Sequence, residues 1–342
     1  MKFNKKKATA LAAVLASVAL VASACGGSDS KSGSTKPGDA TTVTFLPKNL
    51  GNPYFDTSDK GGAAAVKEFG GTYAQVGPQD ASPDAQVPFI NTVAQQGIKA
   101  LVISANDPKA IGSALNQARK AGTKVVTFDS DTDPQYRDLF VNQASAEGIA
   151  KVQVEMIAKQ IGDKGDIAIL SAAANATNQN AWIKLMEADL KANHPNIKLV
   201  ATVYGNDDDQ TSFDKTSALL QEYPTLKGIV SPTTVGIAAA ARYISTSSFK
   251  GKVAVTGLGT PNQMRKYVED GTVTEFALWN PADLGYLAAF AAKALVDGAI
   301  TGKEGDKFKA GKLGEYTVGA DNTVLLGDPF KFNKANIATF NF

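Results

Sequence analysis

Short apolar runs alternate with longer amphipathic stretches through most of the chain, a pattern that predicts strands alternating with helices. The run at 100–104 is almost continuously apolar, as expected for a parallel strand that is buried on both faces. The first half of the pattern predicts strands at 43–46, 72–76, 100–104, 124–128 and 139–142, with helices at 59–69, 84–96 and 108–121. This half therefore predicts one parallel sheet covered by helices.

The same alternation restarts near residue 146 and gives a second unit of similar size. It predicts helices at 146–161, 180–193, 212–222, 235–245 and 261–270, with strands at 166–171, 198–204, 228–231, 253–257 and 273–279. A helix at 282–297 and a tail from residue 316 follow, and we expect them to return to the two units. The predicted fold class is α/β, with two Rossmann-like, doubly wound lobes joined by a hinge of several crossover segments.

The length of the patterned region suits two domains of about 100–200 residues each. We expect an N-terminal lobe of residues 43–143 plus about 281–310, and a C-terminal lobe of residues 144–280 plus about 311–342. With the tail and the helix at 282–297 shared between them, more than one chain segment should cross from lobe to lobe.

The first 24 residues have the pattern of a secretory signal peptide. A lysine-rich start precedes an apolar run at 8–21, which is too short for the roughly 20 residues of a membrane-spanning helix. Small residues then precede Cys25, the only cysteine, which resembles the acylated cysteine of a lipobox. Ala22 stands where the lipobox usually has leucine, so a plain secretory signal with an incidental cysteine is the alternative.

Residues 25–42 are rich in Gly, Ser, Asp, Lys and Thr, and such a segment is predicted to be a flexible tether. If Cys25 carries lipid, the protein is extracytoplasmic and anchored to the outer face of the cell membrane. One acyl chain would hold it only weakly, so stable anchoring implies more than one chain.

Charge and composition exclude several classes of function. The chain has 35 basic and 33 acidic residues, which argues against nucleic acid as a partner because that would favour a strongly basic surface. The single histidine, His194, sits in a sequence typical of a helix end, and no Cys/His cluster is available for zinc. We therefore expect no metal, no cofactor, no internal disulfide and a monomeric protein.

Polar and aromatic side chains follow the predicted strands, where parallel sheets bind their ligands. Carboxylates and side-chain amides can hold neighbouring hydroxyls, and flat aromatic rings suit the C–H face of a sugar. The candidate ligand-binding residues are Lys48, Asn52, Tyr54, Phe55, Asp129, Asp131, Asn178, Gln179, Trp182, Pro232, Thr234 and Trp279.

Each of these signals has a purely structural alternative. Tyr54 and Phe55 could be core aromatics at the start of a helix. Asp129 and Asp131 could be turn or N-cap residues, and Asn178 could only cap its helix. The sequence leaves these alternatives open.

Two motifs resemble the type I sugar-binding proteins of ABC importers, the family of the ribose-binding protein. They are Asn52-Pro53-Tyr54-Phe55 after the first strand and the corner Phe128-Asp129-Ser130-Asp131. The resemblance implies two Rossmann-like lobes joined by three crossover segments, a pentose or hexose bound between them, and membrane permease subunits as the partner.

Further motifs resemble the branch of this family that binds rhamnose or autoinducer-2. They are Leu46-Pro47-Lys48-Asn49, Asp129-Ser130-Asp131-Thr132, Asn178-Gln179-Asn180-Ala181-Trp182, Thr260-Pro261-Asn262-Gln263-Met264-Arg265 and Ala277-Leu278-Trp279. The resemblance makes Lys48, Asp129, Asp131, Gln179 and Pro232 ligand contacts, with Tyr54 and Phe55 as the ring face. The autoinducer-2 receptors have aspartate and alanine where this chain has Asn178 and Thr234, which favours a deoxyhexose such as rhamnose.

Three other functions compete with sugar import. A glycosidase could use Asp129 and Asp131, but two carboxylates only two residues apart rarely straddle a substrate. A sensory receptor would use the same ligand-closed form, so the sequence does not separate it from a transport component. A sugar-responsive repressor of the same fold is disfavoured by the export signal, which lies where DNA-binding helices would have to be.

Overall fold

The computed structural model describes residues 40–342. The predicted signal peptide, Cys25 and the tether up to residue 39 lie outside the described residues, and β1 begins at Thr42, the last predicted tether residue. Within residues 40–342, no helix is both long and apolar enough to cross a membrane.

The N-terminal lobe is built on a parallel sheet. Its first elements are β1 (Thr42–Leu46), α1 (Pro53–Glu68), β2 (Thr72–Gln75), α2 (Pro83–Gln95), β3 (Ala100–Ile103), α3 (Gly112–Lys120), β4 (Lys124–Phe128) and β5 (Leu139–Asn142). β3 is completely buried, as its continuous apolar run predicts. The order β2-β1-β3-β4-β5 changes direction beside β1, and such a switch point opens a crevice at the carboxyl ends of the strands.

The C-terminal lobe repeats this plan. Its elements are α4 (Ala146–Ile161), β6 (Gly165–Ser171), α5 (Thr177–Asn193), β7 (Ile197–Tyr204), α6 (Asp209–Glu222), β8 (Gly228–Ser231), α7 (Thr234–Ser245), β9 (Ala254–Gly257), α8 (Pro261–Glu269) and β10 (Glu275–Leu278). The parallel order β7-β6-β8-β9 has its switch point beside β6, and a bridge between Leu258 and Ala277 joins β10 to its edge. The predicted α/β fold is confirmed.

The last part of the chain belongs to both lobes. It comprises α9 (Pro281–Val296), β11 (Lys307–Lys309), β12 (Glu315–Thr317), β13 (Thr323–Leu325) and β14 (Phe330–Asn333). α9 packs on α1 and β4, β13 pairs in parallel with β5, and β14 pairs in antiparallel fashion with β10. The assignment of all of 311–342 to the C-terminal lobe is therefore wrong at β13, which fills the free edge of the first sheet.

Three segments consequently cross between the lobes within residues 40–342. They lie between β5 and α4, between β10 and α9, and between β13 and β14. The strands β11 to β14 were not predicted, because each has only three or four residues and too short an alternation to be recognised.

Several helices begin earlier than the hydrophobic pattern predicts, and α1 matters most. It starts at Pro53 rather than Asp59, because the Asn52 side chain accepts a hydrogen bond from the Tyr54 amide at 3.1 Å and proline suits the first helical position. This start places Tyr54 and Phe55 in the first turn, directly beyond the end of β1.

α1 and α9 approach so closely that they require glycine. A Cβ on Gly61 would lie 1.8 Å from the carbonyl oxygen of Ala282, and one on Gly285 would lie 1.9 Å from that of Ser58. Both distances are far below van der Waals contact, so any side chain would force the helices apart. This contact fixes α9, and the crossover before it, on the N-terminal lobe.

A buried carboxyl on α1 predicts a pH-dependent stability. Burial of Asp59, with the charge of Asp56 nearby, raises its pKa to about 7, although a hydrogen bond from the Gln75 amide opposes the shift. Asp59 stays protonated in the fold between about pH 4 and pH 7, where the unfolded chain releases this proton. Its contribution to the free energy of unfolding should therefore fall by up to about 4 kcal/mol across this range.

The variant Asp59→Asn tests this effect, because asparagine keeps the shape but cannot titrate. Urea unfolding at several values between pH 4 and pH 8 should give a stability difference, wild type minus variant, that declines as pH rises and levels off above pH 7. Parallel profiles for the two proteins would contradict the expectation.

Candidate functional site

A cavity lies between the lobes, at the carboxyl ends of the strands on both sides. About 350 Å³ of its space, which includes space open to solvent, is not filled by protein atoms. Both lobes contribute to its lining. The N-terminal lobe supplies Lys48, Asn52, Tyr54, Phe55 and Asp129. The C-terminal lobe supplies Gln179, Trp182, Asp207, Pro232, Thr233, Thr234, Leu258, Leu278 and Trp279.

Asp129 is the carboxylate that the N-terminal lobe contributes. It follows β4 with a φ of 61°, a left-handed conformation that asparagine and aspartate tolerate better than most residues. Its Oδ1 accepts a hydrogen bond from the Tyr54 hydroxyl at 3.0 Å, and its Oδ2 accepts one from Ser104 at 2.8 Å. Trp279 Nε1 donates to the same Tyr54 oxygen at 2.9 Å. These bonds fix the carboxylate and leave lone pairs on its oxygens for a ligand.

Lys48 connects the two lobes across the cavity. Its buried Nζ donates to Asn178 Oδ1 at 3.0 Å and to Gln179 Oε1 at 3.3 Å, so a side chain after β1 contacts the start of α5. An ammonium has three donors, and these two contacts leave one for a ligand. The lobes are therefore in contact through hydrogen bonds at the cavity itself.

The charges in the cavity are strongly influenced by burial. Burial lowers the pKa of Lys48 and raises those of Asp129 and Asp207, since removing a group from water penalises its charged form. The charge of Lys48 opposes the rise at both carboxyls, and their charges oppose the fall at the lysine. Burial beside Asp129 also raises the pKa of Tyr54 well above its usual value, so its hydroxyl remains a donor.

Aromatic rings form one wall of the cavity. Tyr54 and Phe55 meet edge to face at 5.1 Å between ring centroids, and Trp279 lies 6.1 Å from both Tyr54 and Trp182 in similar geometry. Edge-to-face pairs of this kind are a favoured arrangement of aromatic rings. A flat apolar wall beside oriented carboxylates and amides is suited to a ring that has hydroxyls at its edge and C–H groups on its face.

The structure brings ten of the twelve predicted residues to the cavity lining, namely Lys48, Asn52, Tyr54, Phe55, Asp129, Gln179, Trp182, Pro232, Thr234 and Trp279. Asn178 lies immediately behind this lining, where its amide nitrogen also faces the Asp129 carboxylate at 3.5 Å.

Asp131 is the second of the two predicted residues that do not line the cavity. It accepts from Arg137 Nε at 2.7 Å and from Thr127 at 2.5 Å, and Arg137 also donates to the backbone carbonyls of Asp321 and Asn322. Burial raises the pKa of Asp131, and the Arg137 guanidinium opposes that rise. Asp131 thus helps to attach the segment before β13 to the first lobe, and its prediction as a ligand contact is not supported by its position.

The sequence analysis missed Asp207 and Thr233, as well as the apolar residues Leu258 and Leu278. Asp207 stands in the run Asn206-Asp207-Asp208-Asp209, which resembles an ordinary helix start. The only available signal was its place just after β7, the same kind of position that identified Asp129.

The chemistry of the site is that of binding. Among residues 40–342, no group of three or more His, Cys, Asp or Glu side chains could hold a metal ion. The oriented acceptors, the ammonium and the aromatic wall together suit a small polyhydroxylated molecule enclosed by two lobes. Fold and site define a two-lobed solute-binding protein.

The chain belongs to the periplasmic binding protein family, since the model of the periplasmic binding protein domain matches residues 43–300. It is 55% identical to a sugar ABC transporter protein of Actinomyces odontolyticus over 88% of this chain and 97% of that one, with a TM-score of 0.71. An ABC transporter solute-binding protein of Clostridium phytofermentas with bound L-rhamnose is 37% identical over 88% and 98% of the two chains, with a TM-score of 0.85.

A third similar structure is LsrB of Clostridium saccharobutylicum in complex with AI-2. It is 28% identical over 88% of this chain and all of that one, with a TM-score of 0.83. The family resemblance inferred from the sequence motifs is confirmed. The matched family is one of binding proteins, and this chain is accordingly a binding protein and not an enzyme.

Proposed function

We propose that the protein binds a monosaccharide, L-rhamnose or a similar deoxyhexose, between its lobes and delivers it to the permease of an ABC importer. The observation that carries the proposal is the cavity itself. There Lys48 of one lobe contacts Asn178 and Gln179 of the other, beside a fixed carboxylate and an aromatic wall.

In this proposal, binding and closure are coupled. A sugar that touches both lobes stabilises the closed form over any open form, and the ligand shifts the population by this difference in affinity. The hydrogen bonds of Lys48 across the lobes would add to the stability of the closed form. The permease would then recognise a surface that both lobes form together.

Two observations favour a deoxyhexose. Leu258 and Leu278 add an apolar patch to the lining, which suits a methyl group better than a hydroxymethyl group. The L-rhamnose complex has a TM-score of 0.85, above the 0.71 of the more identical Actinomyces odontolyticus chain, as expected if this chain has the lobe arrangement of that complex.

Autoinducer-2 is the second candidate, because the complex of LsrB with AI-2 is also similar to this structure. Asn178 argues against it. Its amide nitrogen faces the Asp129 carboxylate at 3.5 Å, whereas an aspartate at this position would bring two buried like charges together. The neutral residue also removes a charged acceptor, which is about twice as strong as a neutral one.

A ligand panel tests the proposal. L-rhamnose, D-ribose, D-arabinose, D-galactose and autoinducer-2 would each be titrated into the purified protein by calorimetry, with thermal unfolding in parallel. We expect L-rhamnose to bind tightest and to raise the unfolding temperature, since a ligand at 100 times its Kd stabilises by about 2.7 kcal/mol. Tightest binding of autoinducer-2 would support the second candidate, and no binding of any of these compounds would contradict both.

The lipid anchor on Cys25 and the extracytoplasmic location are also part of the proposal. A binder on a flexible tether stays near its permease, which raises the local concentration of the loaded form. Mass spectrometry of the mature N-terminus should find Cys25 modified by more than one acyl chain, and an unmodified cysteine would contradict the anchor but not the sugar site.

A further inference from the structure

Asp207 is a cavity carboxylate that neither the sequence motifs nor the family resemblance singled out. It follows β7 and lines the cavity from the second lobe. The Thr233 hydroxyl, which follows β8, donates a hydrogen bond to its Oδ1 and holds the carboxylate in place. Asp207 is thus oriented by a neighbouring loop in the same way that Asp129 is oriented by Tyr54 and Ser104.

The backbone separates Asp207 from the two acidic residues that follow it. Asn206 and Asp207 have φ values of 55° and 51°, a left-handed turn that directs residue 207 toward the cavity. Asp208 instead caps α6 by accepting from the Thr211 amide at 2.7 Å, and Asp209 forms an exposed ion pair with Arg242. Three consecutive aspartates therefore have three different roles.

Among residues 40–342, the positive charge that favours an ionised Asp207 is that of Lys48. Lys48 is the lysine whose charge acts on both Asp129 and Asp207, yet its hydrogen bonds go to the amide oxygens of Asn178 and Gln179. The charge of Asp207 also contributes to the raised pKa of Asp129. Hydroxyl groups that donate to both carboxylates would relieve this repulsion when the lobes are closed.

We infer that Asp207 is a ligand-contacting residue that determines specificity, accepting hydrogen bonds from sugar hydroxyls so that each lobe supplies one oriented carboxylate. This inference rests on the proposed sugar-binding function. A sugar must then present donors to both lobes at once, so Asp207 couples recognition of the hydroxyl pattern to closure.

The test compares Asp207→Asn with Asp208→Asn. Both variants remove one negative charge from adjacent positions, and asparagine remains a good N-cap at 208. With L-rhamnose titrated by calorimetry, we expect Asp207→Asn to bind at least about tenfold more weakly than the wild type, because a charged acceptor is replaced by a neutral one. Asp208→Asn should bind within about twofold of the wild type, and both should unfold near the wild-type temperature without sugar.

The outcomes separate this inference from the proposed function. Wild-type affinity in Asp207→Asn overturns the inference alone, and so does a loss of unliganded thermal stability with unchanged affinity, which would show a structural role. If the wild type binds neither L-rhamnose nor any other sugar of the panel, both fail. Should Asp207→Asn not fold, Asp207→Ser provides the same comparison with a smaller side chain.

Discussion

Asp129→Ala should abolish sugar binding, with an affinity loss of at least about 100-fold, while the thermal transition of the unliganded protein stays nearly unchanged. The carboxylate is buried at the cavity and held by Tyr54 and Ser104, so its removal deletes a charged acceptor that is already in position for a ligand. Removing a buried carboxyl that has a raised pKa also relieves its desolvation, which compensates for the lost hydrogen bonds in the unliganded fold.

Asp131→Asn is the comparison variant, because Asp131 lies two residues from Asp129 and is also an aspartate. Its partner Arg137 is buried, and a broken buried ion pair is destabilising by about 3–5 kcal/mol. This variant should unfold at a lower temperature and yet keep its sugar affinity. We expect calorimetry to show a loss of sugar affinity for Asp129→Ala alone, and thermal unfolding to show a loss of stability for Asp131→Asn alone. Equal sugar affinities for the wild type and Asp129→Ala would contradict the assignment of the cavity as the binding site.

Gly285→Ala should strongly destabilise the fold. A glycine-to-alanine change inside a helix normally stabilises it by about 1 kcal/mol, but here the new methyl would meet the Ser58 carbonyl oxygen of the facing helix. We expect the free energy of unfolding to fall by several kcal/mol, since backbone atoms cannot move aside as a side chain can. Urea unfolding, followed by circular dichroism, measures the difference.

Gly148→Ala provides the control for this change. Gly148 lies in the first turn of α4, where the nearest atom to a new Cβ is the rotatable Ser145 hydroxyl at 2.9 Å. Its stability should change by no more than about 1 kcal/mol. If Gly285→Ala were as stable as this control, α1 and α9 would not be held at the distance the structure gives.

The strands and the cavity edge could be predicted because both depend on local pattern. Apolar runs locate the strands, and the topological rule for parallel sheets then assigns the residues that follow them to a ligand site. The pattern places the start of α1 too late because its first six residues, Pro53 to Ser58, are polar and aromatic rather than periodic. The cap at Asn52 and the proline that follows it are the local signals of the true start.

The differences between prediction and structure at Asp131, Asp207 and β13 have a different origin. Each depends on a partner that the local sequence does not identify: Arg137 for Asp131, Thr233 for Asp207 and β5 for the tail strand. Asp129 and Asp131 look equivalent in the sequence, but the left-handed backbone at Asp129 directs only one of them into the cavity. The location of these residues depends on contacts with residues distant in the sequence or on another loop, and not on local secondary-structure propensity.

The position of β13 also bears on the order in which the protein can fold. Residues 323–325 supply the edge strand of a sheet whose other strands lie between residues 42 and 142, so ribosomal synthesis delivers that edge almost last. Until then β5 remains an unpaired edge, and a sheet with an open edge is incomplete and prone to wrong pairing.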